Sequence, residues 1–215
     1  MIEVDPKSFI IKRKRKKYKF ALFANSPLCF ELDEWQPQSV DIVELGAGTG
    51  LFSVEMAARH PDKQFVAVDV KADRLQKGAG VATERSLTNI RFVRARADQL
   101  AEIIPPRSLA ALWLTFPDPF PKKRAAGRRM SHGRFLNLYS TLLDDDGAFY
   151  LKHDNRDFFL WSLEQLVASY WIINELSFDL HDSALSEDYK ILTTYEMRWL
   201  EEGLTTNFVK ASPAR

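Results

Sequence analysis

Residues 43–50 read VELGAGTG and are followed directly by the apolar segment LFSVEMAA. The apolar run that ends at Leu45 is typical of a buried strand, and the next segment predicts an amphipathic helix over Leu51–Arg59. Gly46, Gly48 and Gly50 lie between the two, where glycine permits positive φ and a close approach of a ligand to the backbone. Unpaired N–H groups at the start of the helix favour the same site. The segment therefore predicts a strand, a turn and a helix with a ligand at the turn.

Strands and helices alternate along the rest of the chain. Strands are predicted at 40–45, 64–70, 90–93, 110–116 and 148–152, and helices at 51–59, 72–85, 98–103, 133–143 and 156–169. This alternation indicates an α/β fold that is doubly wound around a mostly parallel sheet. Further strands at 171–178, 197–200 and 207–210 are predicted to complete the sheet with an antiparallel C-terminal strand. Residues 1–35 are predicted to form a basic lead-in segment, and residues 36–215 a single domain.

Composition limits the class of protein. With 215 residues, of which 46% are hydrophobic and 27% charged, the chain can bury one substantial core. The lone Cys29 excludes a disulfide framework, and four scattered histidines give no familiar metal-ligand spacing, so no metal site is expected. No apolar run approaches the roughly 18 residues of a membrane helix, and no secretory signal precedes the domain. A cytoplasmic protein is expected, without a membrane and without an evident obligatory protein partner.

Positive charge is concentrated in two segments, although the net charge is only +1. KRKRKKYK at Lys12–Lys19 holds seven basic residues and no acid, and KKRAAGRRMSHGR at 122–134 holds six. Clusters of this kind attract polyphosphates by Coulomb attraction and counterion release, which makes nucleic acid the leading class of partner. For Lys12–Lys19 taken alone, a solvated tail or a nuclear-import signal explains the charge equally well.

Two acids follow apolar strands at the positions where a ligand would lie. Glu44 precedes the glycine turn, where it would repel a pyrophosphate, and a G-x-G-x-x-G fingerprint would need glycine at Leu51. Both observations disfavour a nicotinamide oxidoreductase. Asp69 ends the next strand, where it could accept hydrogen bonds from the two hydroxyls of a ribose, or cap the following helix. The glycine turn and Asp69 together resemble the S-adenosylmethionine site of class I methyltransferases, whose Rossmann-like sheet has seven strands.

Three later segments resemble one family of that class. FPDPFPKKR at 116–124, followed by two arginines at 128–129, is similar to the signature of bacterial tRNA (guanine-N7)-methyltransferases. LKHDNRDFF at 151–159 is similar to the family's Lys-Thr-Asp-Asn stretch, and TTYE at 193–196 resembles its Thr-x-Tyr/Phe-Glu motif. The similarity runs in order from about residue 40 to residue 210. It implies S-adenosylmethionine as the cofactor and the variable-loop guanine of tRNA as the acceptor.

The resemblance also assigns roles to individual residues. Asp118 is implied as the catalytic or guanine-positioning residue. The expected cofactor-binding residues are Glu44, Gly46, Gly48, Gly50, Asp69, Ala97, Asp98 and Asp118. The expected substrate contacts are Lys122, Asp154, Thr193, Thr194, Tyr195 and Glu196. The expected tRNA phosphate contacts are Lys123, Arg124, Arg128 and Arg129.

The sequence departs from the family pattern at four positions, one of which is Ala125 in place of a common His. Arg96 stands where the family often has an acid or Asn near the adenine of the cofactor, and Phe120 replaces a usual Trp. His153 replaces the Thr of the Lys-Thr-Asp-Asn stretch and is interpreted as a partly exposed spacer. The family's Thr-x-Tyr/Phe-Glu residues here would also suit an ordinary strand, in which Thr favours β structure and Glu196 is a surface charge.

The chemistry of the central segment agrees with this interpretation. Prolines on both sides of Asp118 hold the backbone extended and direct the carboxylate outward. A carboxylate can accept hydrogen bonds from the Watson–Crick edge of guanine and leave N7 accessible. Two alternatives stay open: another class I nucleic-acid methyltransferase that acts on an exocyclic amine, and a non-catalytic RNA-binding module on the same fold.

Overall fold

The computed structural model of the protein describes residues 3–10 and 14–215. Eight strands form one sheet: β1 (Cys29–Glu31), β2 (Ile42–Leu45), β3 (Phe65–Asp69), β4 (Ile90–Arg94), β5 (Leu109–Thr115), β6 (Leu143–His153), β7 (Trp171–Ser177) and β8 (Asn207–Pro213). Six α-helices accompany them: α1 (Lys14–Ala24), α2 (Leu51–Arg59), α3 (Ala72–Glu84), α4 (Gly133–Leu142), α5 (Arg156–Ala168) and α6 (Thr194–Glu201). Short 3-10 turns span Pro6–Ser8, Leu32–Glu34, Ala97–Glu102 and Lys123–Arg128.

The sheet has the order β1-β4-β3-β2-β5-β6-β8-β7. All pairs are parallel except those of β8, which runs antiparallel to both β6 and β7. The strand order reverses between β2 and β5, and ligands of open α/β sheets bind outside the carboxyl ends of the strands at such a point. The topology therefore places a site where β2, β3 and β5 end.

Helices cover both faces of the sheet. Buried side chains of α1, α2 and α3 join one apolar cluster with Phe65, Phe92 and Trp113. Buried side chains of α4 and α5 join the cluster on the other face with Val43, Leu112 and Phe149. Because both faces are covered, β3 and β5 are almost wholly buried and form continuous apolar runs rather than alternating ones. The predicted doubly wound α/β fold with an antiparallel C-terminal strand is confirmed.

The predicted count of seven strands is one too low. β1 has three residues and pairs with β4 at the edge of the sheet, and α1 packs against α3. Residues before 36 thus contribute one strand and one helix to the fold. Of the basic segment Lys12–Lys19, residues 12 and 13 lie outside the described part, and the remainder belongs to α1.

The strand predicted at 197–200 is wrong, because these residues belong to α6. Thr193 and Glu196 explain the difference. The hydroxyl oxygen of Thr193 accepts from the backbone N–H of Glu196 at 3.1 Å, and the Glu196 carboxylate accepts from the backbone N–H of Thr193 at 3.1 Å. This reciprocal pair is a capping box, and the T-x-x-E pattern starts a helix despite the β preference of threonine.

Candidate active site

A cavity of about 760 Å³ opens at the carboxyl ends of β2, β3 and β5. This volume lies within the range of roughly 300–1,000 Å³ that is usual for small-molecule sites. Many predicted site residues line it: Glu44, Gly46, Gly48, Asp69, Ala97, Asp98, Asp118, Arg128, Asp154 and Thr193. The fold therefore brings most of the predicted cofactor-binding residues together with Asp118.

The glycine turn between β2 and α2 has an unusual backbone. Gly46 and Gly50 have φ values of 72° and 69°, in the left-handed region. A Cβ atom at Gly50 would lie 2.7 Å from the Phe92 ring, and one at Gly46 would lie 2.7 Å from the Met130 methyl group. Both positions favour glycine by their left-handed conformation, and at Gly50 the Phe92 ring also leaves no space for a side chain. The turn thus has no side chains at Gly46, Gly48 and Gly50, so a ligand in the cavity can approach its backbone.

Glu44 lies at the end of β2, beneath this turn, and is buried. One of its carboxylate oxygens accepts from the backbone N–H of Ser53 at 3.2 Å and from the Ser53 hydroxyl at 2.6 Å. The other accepts from the Thr115 hydroxyl. Glu44 therefore joins α2 and β5 to the strand that carries the glycine turn. Burial raises the pKa of Glu44 from 4.5 to about 7, although the hydrogen bonds from Ser53 and Thr115 oppose the shift.

Glu44→Gln tests this environment through the pH dependence of stability. A raised folded-state pKa gives a relative stabilisation that is complete below the ordinary value of 4.5 and is lost as the pH rises through about 7. We expect the unfolding free energy of the unliganded protein to fall over this window relative to Glu44→Gln, by about 1.4 kcal/mol per unit of pKa displacement. Urea unfolding at several pH values measures this change in unfolding free energy. Glu164→Gln, at an exposed position of α5, is the control. Parallel curves for the wild type and Glu44→Gln would contradict the expectation.

Asp69 ends β3 on the cavity wall. Its Oδ2 accepts from the backbone N–H of Gly48 at 2.9 Å, and its Oδ1 accepts from the backbone N–H of Lys71 at 2.8 Å. Each carboxylate oxygen has two acceptor sites, so one remains on each for a ligand. Asp69 thus fixes the glycine turn and can still accept hydrogen bonds from hydroxyl groups.

Arg96, Ala97 and Asp98 follow β4, the strand next to β3, and also line the cavity. The Arg96 guanidinium donates to the two carboxylate oxygens of Asp98 at 2.9 and 2.7 Å. This hydrogen-bonded pair lowers the pKa of Asp98. Both side chains are exposed. The ligand contact predicted for Ala97 and Asp98 stays a prediction, and any such contact of Asp98 would include its ion pair with Arg96.

Asp118 lies in the loop after β5 and projects an exposed side chain at the cavity. The loop runs from Phe116 to Phe120, and both of these residues have positive φ, 52° and 39°. Such conformations in non-glycine residues cost of order 1–3 kcal/mol each and persist only where the surroundings impose them. The carboxylate is therefore presented by a constrained segment.

The basic residues after this loop have different surroundings. Lys122, Lys123 and Arg124 are exposed. Arg128 is also exposed, and its guanidinium lies 4.4 Å from the centroid of the Phe120 ring. The Arg129 side chain instead turns inward and donates to backbone carbonyls of the loop. Four of these five cations are therefore exposed to a polyanion in solution, and Arg128 also lines the cavity.

His153 was interpreted as a partly exposed spacer, and this interpretation is wrong. It is 3% exposed, lies 4.5 Å from Phe158 ring to ring, and hydrogen-bonds to the carbonyl of Pro117 at 2.9 Å. Phe158 of α5 packs against it, which the sequence around it does not indicate. Its Nδ1 lies 3.1 Å from Oδ1 of Asp154.

The TTYE segment lies at the start of α6. Thr193 lines the cavity, whereas the side chains of Thr194 and Tyr195 fall outside the described part of the chain. Glu196 is fully buried and accepts from Lys152 at 2.8 Å, from His181 at 2.8 Å and from the Thr206 hydroxyl at 3.1 Å. Glu196 is therefore not an exposed charge on the surface of a strand. Its contact with a substrate stays a prediction.

Comparison with known proteins agrees with this geometry. A family model described as "Putative methyltransferase" matches residues 38–208. The tRNA (guanine-N(7)-)-methyltransferase of Cytophaga hutchinsonii is 37% identical over 172 residues, which cover 79% of this chain and 78% of that protein. The enzyme of the same name from Brevibacillus brevis is 36% identical over 170 residues, 79% of each chain. The chain belongs to the tRNA (guanine-N7)-methyltransferase family.

The fold of this family member is shared with methyltransferases of low sequence identity. The crystal structure of the 16S rRNA methyltransferase KamB superposes with a TM-score of 0.61 at 15% identity, covering 84% of this chain and 90% of that one. Across residues 3–10 and 14–215, no helix has the length and apolar character to cross a bilayer. The same residues hold no cluster of three potential metal ligands from His, Cys, Asp and Glu.

Proposed function

We propose that this protein transfers a methyl group from S-adenosylmethionine to N7 of the variable-loop guanine of tRNA. One observation carries the proposal: Asp118 and the glycine turn line the same cavity, and so do the exposed cations Arg128 and Arg134. The named relatives support the reaction, since their names state both the acceptor base and the tRNA. The protein acts in the cytoplasm, where its substrate is made.

The residues of the cavity suit the cofactor. The left-handed glycines keep side chains away from the floor, and the remaining acceptor sites of Asp69 suit the two hydroxyls of a ribose. Glu44 places a carboxyl group beneath the turn, next to the space that a cationic amino-acid group would take. Ala97 and Asp98 lie on the wall where the adenine would bind.

The methyl transfer requires no proton transfer by the protein. When bound, S-adenosylmethionine supplies a methyl group on a cationic sulfur, and N7 of neutral guanine carries no proton that must first be removed. Asp118 accepts hydrogen bonds from N1–H and N2–H of the base and so directs N7 into the cavity. Alignment of this kind can account for about 7–11 kcal/mol of a barrier. Asp118 therefore acts by orientation and not as a general base.

The tRNA binds across the cavity mouth. Lys122, Lys123, Arg124 and Arg128 contact phosphates, and Asp154 and Thr193 contact the nucleotide that enters the cavity. The guanine must leave its tertiary contacts to reach Asp118, at a cost of a few kcal/mol that the phosphate contacts offset.

Incubation of the purified protein with S-adenosylmethionine and unmodified tRNA tests the proposal. We expect 7-methylguanosine in the digested nucleosides, and chemical cleavage of the RNA at the variable loop. Mass spectrometry and cleavage mapping measure the two. Methylation of an exocyclic amine instead would identify another class I nucleic-acid methyltransferase. Cofactor and tRNA binding without any methylated nucleoside would indicate a non-catalytic RNA-binding module.

A further inference from the structure

No backbone N–H of residues 117–121, in the loop that carries Asp118, donates to another backbone group, and the N–H of Phe116 donates to the Lys152 carbonyl at 3.0 Å where the loop leaves β5. Pro117, Pro119 and Pro121 have no N–H group, so alternate residues of the loop cannot donate. Phe116 and Phe120 hold strained left-handed conformations on either side. Something other than the loop itself must therefore hold it in place.

His153 holds the first part of the loop. Its Nδ1 accepts from the backbone N–H of Asn155 at 2.8 Å, and its Nε2 lies 2.9 Å from the carbonyl oxygen of Pro117. A carbonyl can only accept, so Nε2 carries the proton and donates to Pro117, and Nδ1 is the acceptor for Asn155. This arrangement ties the residue before Asp118 to the end of β6.

Arg129 holds the second part. Its Nε donates to the carbonyl of Pro119 at 2.9 Å, and its Nη2 donates to the carbonyl of Phe120 at 3.2 Å. The same guanidinium stacks on the Trp161 ring of α5, 4.2 Å from its centroid. The planar fork of arginine can donate to two carbonyls and stack on a ring at once, which lysine cannot do. Arg129 thus ties the two residues after Asp118 to α5.

We propose that Arg129 and His153 are positioning residues, which clamp the carbonyls on both sides of Asp118 and thereby fix the direction of its carboxylate. Arg129 then acts on the loop and is not a phosphate contact, unlike its neighbours in the basic segment. The proposal deepens the proposed function and rests on it for the role of Asp118. It separates two adjacent arginines that look alike in sequence: Arg128 is exposed, and Arg129 is half-buried.

The first test compares Arg129→Met with Arg124→Met. Methionine keeps the apolar contact with Trp161 and removes both donors. For Arg129→Met we expect kcat to fall on the order of 10²-fold, as for a misplacement of about 1 Å. We expect its tRNA Kd, and the slope of log Kd against log salt, to match the wild type. Arg124→Met removes the same charge from an exposed position, and it should weaken tRNA binding and reduce the slope by about 0.9, the loss of one phosphate contact.

The second test uses conservative replacements. His153→Gln retains an N–H donor near Pro117, so its kcat should stay close to that of the wild type. His153→Leu has no such donor, so its kcat should fall. Arg129→Lys keeps the charge but not the fork, so its kcat should lie between those of the wild type and Arg129→Met. If Arg129 were a phosphate contact, Arg129→Lys should behave like the wild type, because neutralising a phosphate requires only a positive charge.

Backbone dynamics measured by NMR separate the clamp from the reaction. We expect lower order parameters for the Asp118 and Phe120 amides of Arg129→Met than for those of the wild type, and unchanged values in β3. This readout needs no substrate, so it tests the clamp even if the wild type produces no 7-methylguanosine, the result that overturns the proposed function. Unchanged order parameters in the loop would overturn the clamp. So would a raised tRNA Kd with a reduced salt slope in Arg129→Met.

Discussion

Asp118→Ala is expected to lower kcat for methyl transfer on the order of 10³-fold, because it removes the group that orients the acceptor base. The cofactor should still bind with little loss of affinity, since the glycine turn, Glu44 and Asp69 belong to other strands. The loop should keep its conformation, because its carbonyls are held by His153 and Arg129 and not by the Asp118 side chain. Single-turnover kinetics and calorimetric titration of the cofactor measure the two effects.

Asp118→Asn and Asp146→Ala complete this experiment. Asparagine keeps the size of the side chain but offers one acceptor oxygen in place of two, so it cannot accept from both N1–H and N2–H of guanine through separate oxygens. We expect a large loss of kcat here as well. Asp146 is exposed near the amino end of β6, far along the strand from His153, and its replacement should leave kcat unchanged. If Asp118→Ala turned over at close to the wild-type rate, Asp118 would not be the residue that orients the acceptor base.

Glu196→Gln is expected to lower the unfolding free energy by about 3–5 kcal/mol, the usual cost of removing one partner of a buried ion pair. Lys152 and Glu196 are both 0% exposed and lie 2.8 Å apart. The variant leaves the Lys152 ammonium with the Ile191 carbonyl, 2.9 Å away, but without its counter-charge. Chemical denaturation at neutral pH measures the loss.

The pH dependence of this variant distinguishes a lost charge from lost packing. Burial lowers the pKa of Lys152, and Glu196 opposes that shift in the wild type. Without Glu196 the folded-state pKa falls further, so the unfolded chain binds more protons and stability rises with pH toward the ordinary value of 10.5. The deficit of Glu196→Gln should therefore shrink as the pH rises from 7 toward 10.5. A double variant, Lys152→Met with Glu196→Gln, should recover part of the loss at pH 7, and a deficit independent of pH would contradict the account.

The sequence was sufficient where a pattern is local and repeated. The glycine turn, the apolar strands β3 and β5 and the acids near the ends of β2 and β3 follow from periodicity and spacing. β1 was missed because three residues that pair on one side only carry too little pattern. Residues 197–200 of α6 were mistaken for a strand, although the capping box formed by Thr193 and Glu196 was visible in the sequence.

The remaining differences depend on contacts between distant segments. His153 is buried because Phe158 of α5 packs on it, and Glu196 is buried because Lys152 of β6 faces it. Neither contact has a signal in the neighbouring residues. Arg129 belongs to a run of cations whose members are equivalent in sequence, and only the position of Trp161 and the loop carbonyls sets it apart.

The position of β8 has a consequence for how the chain is made. β8 comes last among the strands in chain order, yet it lies inside the sheet, between β6 and β7. A nascent chain emerges from the ribosome with its amino-terminal part first. Until residues 207–213 have left the exit tunnel, β6 ends the sheet with an unpaired edge, and β7 has no strand to join. Such edges pair readily with other chains, so the interval before β8 emerges is the one in which this sheet is most exposed to aggregation and to chaperones.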